Sequence, residues 1–294
     1  MIFCFLMNRR YRIAGHLFEV SGPHLEQAAN AIEGFRPFEV TGEEGIPAFR
    51  LVEGHPTDAP AAVSVQYTFD YEDVAGTFAR TEEGFRMTLK PAREEPFELW
   101  CKRDAHEVCL GGNWSMRLYR FALWVGYGLM TLKADTLAIH SSCIVYRNKA
   151  VLFLGESGTG KSTHTRLWRE HIGGAVLLND DSPVIRVEDG KVWAYGSAWS
   201  GKTPCYKNER YELQGCVRLS QAPHNAIRKL SVLEAYGALH PSCPPEFAYD
   251  EGLYDAVSHT IGMILSSVPF YHLACLPDGN AALLSCRTLY GDEA

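Results

Sequence analysis

Two hydrophobic patterns follow one another along this chain. From residue 11 to about residue 111, short runs alternate apolar and polar positions between turn residues, which is typical of strands that bury one face. The predicted strands are RIAGHLFEV (12–20), PFEV (37–40), PAFRLV (47–52), AVSVQYTFDY (62–71), FRMTL (85–89) and FELWCK (97–102), with a hairpin turn in RTEEGFR (80–86). We therefore predict a β-rich (α+β) accessory domain over residues 1–115. It carries no recognisable catalytic residues, so its expected role is packing or acceptor binding.

The pattern changes at residue 116. If residues 116–134 form a helix, apolar side chains occupy most of its circumference, which predicts a helix buried between two layers. Strands and helices then alternate. We expect strands on both sides of RNK (147–149), a helix over 162–171, a buried strand AVLLND (175–180), a strand pair across EDG (188–190), a helix opened by Ser231 and Glu234 at capping-box spacing, a helix over about 251–267, and two strands around PDG (277–279). Residues 116–294 are therefore predicted to form an α/β domain.

Composition narrows the class of protein. The 294 residues are 46% hydrophobic and 21% charged, with a net charge of −7, so neither nucleic acid nor a membrane surface is an expected partner. The nine cysteines include no pair at C-x2-C spacing, which argues against a disulfide framework or a zinc site and favours a reducing, cytoplasmic location.

No membrane segment is predicted. The apolar stretch FALWVGYGLMTL (121–132) is too short to span a bilayer, and basic residues flank it. At the N-terminus, the basic residues follow the apolar stretch instead of preceding it, which argues against a secretory signal. Met7 is the expected alternative start.

The candidate chemistry begins at residue 155. Gly155-x4-Gly160-Lys161-Ser162 follows an apolar strand and opens a predicted helix, which is the pattern of a phosphate-binding loop. Glycines let the backbone N–H groups wrap around phosphate oxygens, and the helix adds the positive end of its dipole. Lys161 is suited to bridge the β- and γ-phosphates, and Ser162 is suited to take one Mg²⁺ position.

Two adjacent carboxylates, Asp180 and Asp181, end the next buried strand. Because successive side chains of a strand face opposite ways, the two are expected to have different tasks. One is suited to ligate Mg²⁺ and the other to accept the proton of an acceptor hydroxyl. The alternative is that both residues only cap a turn at the end of the strand.

The order of AIHSS (138–142), AVLFLGESGTGKST (150–163) and LLNDD (177–181) resembles the catalytic core of HPr kinase/phosphorylase, and also the nucleotide site of ATP-dependent phosphoenolpyruvate carboxykinase. This resemblance implies a P-loop kinase core in the C-terminal α/β domain. It covers about residues 136–203. The glycine-rich signature L-x-V-E-I-R-G-L-G of true HPr kinases is absent, as is the carboxykinase D-D-x-H-x-W context, so the resemblance does not name the acceptor.

The resemblance implies a role for each matching residue. Asp180 would be the general base, His140 would lie beside the transferring phosphate, and Ser162 and Asp181 would hold Mg²⁺. Lys202 would add a phosphate contact, because carboxykinases have a glycine-rich stretch ending in lysine at a comparable place. The residues that would bind the nucleotide phosphates are Gly155, Glu156, Ser157, Gly158, Thr159, Gly160, Lys161, Ser162 and Thr163.

The predicted function is an ATP- and Mg²⁺-dependent phosphotransferase that moves the γ-phosphate to a hydroxyl of a protein, a peptide or a small molecule. Two alternatives remain open from the sequence. One is a regulatory module that binds ATP without turnover, and the other is chemistry of the phosphoenolpyruvate carboxykinase type. The family resemblance also implies a homo-oligomer.

Overall fold

The computed structural model describes residues 8–42, 45–201 and 203–291, so Met7 and Lys202 lie outside the described residues. The described residues form a mixed α/β structure, as predicted. They divide into two compact units. The first runs to Thr131 and includes Ala248–Glu251, and the second contains Leu132–Phe247 and the residues from Gly252 onward. The division therefore follows the helix that begins at residue 116, whereas the predicted boundary precedes it.

The first unit is a mixed sheet with two helices. Among the described residues, nine strands pair in the order β3-β1-β2-β4-β9-β8-β7-β6-β5. The elements are β1 (Arg9–Ile13), β2 (His16–Ser21), α1 (Pro23–Ala31), β3 (Glu39–Val40), β4 (Phe49–Glu53), β5 (Ser64–Tyr71), β6 (Val74–Arg80), β7 (Gly84–Pro91), β8 (Phe97–Lys102), β9 (Glu107–Gly112) and α2 (Met116–Thr131). Helix α2 packs on β8 and β9. Buried tyrosine hydroxyls anchor it, since Tyr119 donates to the Leu25 carbonyl at 3.0 Å and Tyr127 to the Ile13 carbonyl at 3.1 Å.

One prediction for this unit was wrong, and one helix was missed. Residues 12–20 do not form one strand, because Ala14 (φ 48°) and Gly15 (φ 80°) turn the chain between β1 and β2. Helix α1 was not predicted, although Pro23 occupies its first turn and Leu25, Ala28 and Ala29 are buried at helical spacing. The predicted hairpin over 80–86 is confirmed as the connection between β6 and β7.

The second unit carries the motifs singled out in the sequence. Its elements are β10 (Thr136–Ala138), β11 (Ser141–Tyr146), β12 (Lys149–Leu154), α3 (Lys161–His171), β13 (Val176–Asp181), β14 (Val184–Glu188), β15 (Lys191–Tyr195), β16 (Arg210–Gln221), β17 (Ala226–Lys229), α4 (Val232–Leu239), α5 (Glu251–Ser267), β18 (Phe270–Cys275) and α6 (Gly279–Tyr290). The predicted helices at 162–171, 251–267 and after Ser231 are confirmed, the last with the complete capping box.

The second sheet places the chemistry-bearing strands side by side. Among the described residues its main order is β10-β14-β15-β16-β12-β11-β13, and β18 pairs with the later part of β16 and with β17. Strand β12 runs parallel to β16, which runs parallel to β18. The carboxyl ends of these three strands therefore meet at one edge, where open α/β sheets bind ligands.

Helices α3 and α6 pack together on this sheet around Trp168, which is fully buried. The predicted strand after the turn at 277–279 was wrong, because helix α6 begins there. Asp278 instead caps the helix by accepting from the Ala281 N–H at 2.9 Å. The residues buried along α6 then recur at helical spacing. They are Ala281, Ala282, Ser285, Cys286 and Leu289.

Among the described residues, no helix has the length and hydropathy that crossing a bilayer requires. The cysteines of the same residues are free thiols.

Candidate active site

The glycine-rich loop, Gly155–Gly160, turns sharply between the end of β12 and the start of α3. Thr159 closes the turn, because its hydroxyl donates to the Glu156 carbonyl at 2.8 Å and its backbone N–H donates to the same oxygen at 3.2 Å. Gly155 has φ 146°, and a Cβ there would lie 2.6 Å from the Thr159 hydroxyl oxygen. The turn therefore requires glycine at residue 155.

The loop leaves the N-terminus of α3 uncapped. The N-cap residue is Gly160, in the left-handed conformation, which has no side chain to accept from the first N–H groups of the helix. The first turn also has no acidic residue. A helix N-terminus of this kind carries N–H donors without intrahelical partners together with the positive end of the dipole. The loop thus presents a backbone suited to an anion.

Lys161 lies at the mouth of this loop. Its side chain is almost buried, with 8% of the residue exposed. The ammonium donates to the carbonyls of Gly155 at 2.7 Å and Glu156 at 3.2 Å, and it lies 3.2 Å from Nε2 of His140. Burial lowers its pKa, and the nearby charges of Asp181 and Asp180 act in the opposite direction. A buried ammonium beside N–H donors reinforces the preference for an anion.

His140 lies between β10 and β11, where the predicted continuous strand is interrupted. Its backbone N–H donates to the Ser242 carbonyl at 2.7 Å, so the interruption is held in place. Nε2 faces an ammonium, which can only donate, so Nε2 is the accepting nitrogen and Nδ1 carries the proton. Nδ1 lies 3.3 Å from Oδ1 of Asp181. His140 therefore connects Lys161 to Asp181.

Asp180 is buried and contacts two serine hydroxyls. It is 3% exposed, and its Oδ1 accepts from the hydroxyls of Ser142 and, at 3.0 Å, Ser162. Ser142 lies directly opposite Asp180 in the β11–β13 register. The predicted metal pair was Ser162 and Asp181, but the structure pairs Ser162 with Asp180. The side chain of Asp181 is 38% exposed and points to His140, so the two acids diverge as strand alternation predicts.

The backbone at the end of β13 keeps the two acids in place. Asp181 has φ 132°, which is rare for a residue with a side chain and costs about 1–3 kcal/mol. Asn179 offsets this strain by accepting from the Ser182 N–H at 2.9 Å and donating to the Trp199 carbonyl at 2.9 Å. The Gly201 N–H also donates to the Asp180 carbonyl, at 2.6 Å. Strain maintained by surrounding bonds is common at functional sites.

The structure thus brings the loop, Lys161, Ser162, His140 and both aspartates together. Of the other predicted loop residues, Glu156, Ser157 and Gly158 are exposed, and Gly155, Thr159, Gly160 and Thr163 are half-buried. Ser142 was not predicted as a site residue, although it lies in the AIHSS motif. Its contact with Asp180 depends on strand pairing across 38 residues, which no local pattern shows.

A magnesium ion fits the acidic end of this site. The described residues contain no group of three or more His, Cys, Asp or Glu arranged to hold a metal ion by themselves. Mg²⁺ in phosphoryl-transfer sites commonly uses only one or two carboxylates and completes its shell with phosphate oxygens and water. The hydroxyl of Ser162 and the carboxylate of Asp180, which already touch, offer such a pair.

Comparison with solved structures gives a distant structural likeness. No family model matches the chain, and no curated protein matches it. A solved structure of the Hpr(Ser) kinase/phosphatase from Coxiella burnetii aligns with 53% of this chain and 95% of its own, at 13% identity and a TM-score of 0.31. The likeness is therefore distant.

Proposed function

We propose that this protein is a phosphotransferase that moves the γ-phosphate of ATP to the hydroxyl of an acceptor. One observation carries the proposal: a glycine-rich loop with an uncapped helix and a buried lysine lies beside two carboxylates in different environments. The loop and Lys161 account for phosphate binding. The carboxylates account for transfer, because a protein that only holds a nucleotide has no need of a second acid.

The nucleotide phosphates would lie against the backbone from Gly155 to Thr163. In this position Lys161 exchanges its contacts with the Gly155 and Glu156 carbonyls for phosphate oxygens. Lysine acts on phosphate as a point charge, so the same ammonium neutralises charge that develops during transfer.

The contacts support a division of tasks between the acids that differs from the one the family resemblance implies. Ser162 and Asp180 would hold Mg²⁺, which when bound neutralises charge on the phosphates. Asp180 is buried and accepts two hydroxyl bonds, so an incoming acceptor cannot easily reach it. Asp181 is open to solvent and is oriented by His140, so it is the better base.

In this scheme Asp181 takes the proton from the acceptor hydroxyl. The acceptor oxygen bonds to the γ-phosphorus as the bond to the bridging oxygen breaks, and ADP leaves. His140 keeps the Asp181 carboxylate aimed at the acceptor through Nδ1–H, while its Nε2 remains directed at Lys161. The acceptor itself is defined only by its hydroxyl group.

The test uses γ-labelled ATP, Mg²⁺ and a cell lysate separated into macromolecular and small-molecule fractions. Lys161→Met removes the ammonium and keeps most of the buried stem. Lys149→Met is the matched control, because Lys149 is on β12 and pairs with Glu212 at 2.7 Å. We expect label in one fraction with the wild type and the control, and none with Lys161→Met.

Two results would contradict the proposal. If MgATP binds but neither fraction becomes labelled, the protein is a nucleotide-binding module without turnover. If ATP is consumed only when oxaloacetate is supplied, the chemistry is that of a phosphoenolpyruvate carboxykinase.

A further inference from the structure

A cavity of about 780 Å³ lies at one edge of the sheet in the first unit. Strands β2, β4 and β9 run parallel to one another, so their carboxyl ends meet at this edge. Residues that follow these ends line the cavity, namely His24 after β2, Gly54 after β4 and Asn113 after β9. The antiparallel strand β8 adds the residues that precede it, 94–96. Open α/β sheets bind ligands at the carboxyl ends of parallel strands, and small-molecule sites commonly enclose about 300–1,000 Å³.

One wall of the cavity is a stacked pair of rings. His24 lies in the first turn of α1, and its imidazole stacks on the indole of Trp114, with centroids 5.1 Å apart and 10° between the ring planes. Phe97 meets the same indole edge-on at 5.8 Å, which holds the indole in place. The side chain of His24 is 55% exposed. The stack therefore offers a flat surface that is open to solvent, and a planar cation such as guanidinium packs on surfaces of this kind.

Glu53, the last residue of β4, orients this wall. Its carboxylate accepts from the backbone N–H of His24 at 3.0 Å and lies 2.6 Å from Nδ1 of the same residue. A carboxylate can only accept, so Nδ1 carries a proton. In the neutral ring Nε2 is then the nitrogen that can accept from a ligand. The pair thus fixes both the tilt of the imidazole and the hydrogen-bonding role of its second nitrogen.

The charge around the cavity is negative. Glu53, Glu94 and Glu95 line it, and among its lining residues in the described part of the chain there is no lysine or arginine. Asn113 holds Glu94 by donating to its Oε2 at 2.5 Å, and Oδ1 of Asn113 accepts from the Ser115 N–H at 3.0 Å. Carboxylates that line a concave surface concentrate the negative potential there. The cavity therefore favours a cation.

We propose that this cavity binds an organic cation, in which a guanidinium or ammonium group ends a carbon chain. The group would lie on the stack of His24 and Trp114, donate to Nε2 of His24 and meet the carboxylates of Glu94 and Glu95. The carboxylates are not grouped as metal ligands, since the described residues include no set of three or more His, Cys, Asp or Glu that could hold a metal ion.

The same cationic group occurs in free amines and in the arginine and lysine side chains of a polypeptide, and the experiment distinguishes these two sources. All the residues involved belong to the first unit, so the inference is independent of the proposed function.

The test measures binding to the intact protein by titration calorimetry with two pairs of probes. Within each pair arginine is compared with citrulline, which has the same shape and a neutral urea group in place of the guanidinium. The first pair consists of the N-acetyl amides of these amino acids, so neither probe carries a carboxylate. The second pair is a short capped peptide of glycine and serine with arginine or citrulline at its centre.

Two double variants accompany the wild type. Glu94→Gln/Glu95→Gln removes two charges from the cavity, and the amide oxygen at residue 94 can still accept from Asn113. Glu33→Gln/Glu82→Gln is the matched control, because both residues are exposed in the same unit, carry the same charge and do not line the cavity.

We expect the wild type and the control to bind an arginine probe at least about tenfold more tightly than its citrulline partner, because only the guanidinium forms charged hydrogen bonds. Glu94→Gln/Glu95→Gln should lower the affinity for the arginine probe at least about fivefold and leave that for the citrulline probe unchanged. Similar affinities for the arginine amide and the arginine peptide would identify a free cation as the ligand. A peptide that binds at least about tenfold more tightly than the amide would identify a polypeptide side chain.

Equal affinities for the arginine and citrulline probes would overturn the inference, as would the absence of binding by both arginine probes. An equal loss of affinity in the cavity variant and the control would overturn it as well, because the overall negative charge of the protein, and not the cavity, would then attract the cation. ATP takes part in none of these measurements. A failure here therefore leaves the phosphotransferase proposal standing, and the absence of label transfer leaves this site standing.

Discussion

Replacing Asp181 and Asp180 by asparagine, one at a time, separates proton transfer from metal binding. Asp181→Asn removes the basic oxygen and keeps the shape of the side chain. Asparagine is nearly isosteric with aspartate, so the side chain at the positive φ of 132° keeps its size. Loss of a general base lowers a rate by about 10²–10⁴-fold, which is about 3–5 kcal/mol of transition-state stabilisation. We therefore expect transfer to fall by this factor, with MgATP affinity nearly unchanged.

Asp180→Asn should instead weaken Mg²⁺ binding. Its carbonyl oxygen can still accept from Ser142 and Ser162, so the fold near β13 is retained. The negative charge that faces the metal position is lost. Removing only a hydrogen-bonded partner of a metal ligand typically lowers affinity by about 10–100-fold, so removing the charge of a ligand should lower it at least as much. We expect this loss in Mg²⁺-dependent ATP binding, and much of the transfer rate should return at high Mg²⁺ concentration.

The assay measures initial rates of label transfer at saturating MgATP and, separately, MgATP affinity by calorimetry over a range of Mg²⁺ concentrations. Asp189→Asn is the control, because Asp189 is an exposed aspartate that also has a positive φ, of 50°, in the turn between β14 and β15. It should behave as the wild type in both measurements.

The opposite pattern would refute the reasoning. If Asp180→Asn stops transfer with MgATP binding intact, and Asp181→Asn weakens Mg²⁺-dependent binding, then Asp180 is the base and Asp181 the metal ligand. The contacts of Ser162 with Asp180 and of His140 with Asp181 would then not determine the tasks of the two acids.

Three further predictions concern stability, each measured by denaturant or thermal unfolding. Burial lowers the pKa of His164 from 6.5 to about 4, so the unfolded chain takes up a proton first as the pH falls, and the free energy of unfolding should drop by up to about 3 kcal/mol between pH 6.5 and 4. His164→Gln should remove this dependence, and an unchanged pH profile would show that the imidazole is not buried as neutral. Burial raises the pKa of Glu246 from 4.5 to about 7, so the unfolded chain loses its proton first as the pH rises, and up to about 3 kcal/mol should be lost between pH 4.5 and 7. Glu246→Gln should therefore raise Tm at pH 8 and have little effect at pH 4, and equal effects at both pH values would contradict the assignment. Gly196→Ala places a Cβ 1.9 Å from the Lys207 carbonyl oxygen and should destabilise by about 1–3 kcal/mol, whereas Gly237→Ala, in α4 with open space around it, should stabilise by about 0.5–1 kcal/mol. Equal changes in these two variants would show that steric contact is not the cause.

Local sequence patterns were sufficient to predict much of this fold. The capping box of Ser231 and Glu234 and the helix that follows Gly160 depend on residues within a few positions of one another, so the sequence alone predicts them. The same holds for the hairpin over 80–86. At the end of the chain the local pattern misled us, because we interpreted PDG only as a turn, although Asp278 also caps α6.

By itself the sequence determined that a glycine-rich loop with Lys161 and Ser162 opens a helix, and that two acids end a nearby strand. These features need only the turn conformations of glycine and the alternation of a strand. Which acid meets Ser162, where His140 lies and that one cavity of the first unit collects His24, Glu53 and Trp114 were decided only by the tertiary structure. The reason is that these contacts depend on the order and register of β4 and β9 in the first sheet and of β11, β12 and β13 in the second, which bring together residues far apart in the chain.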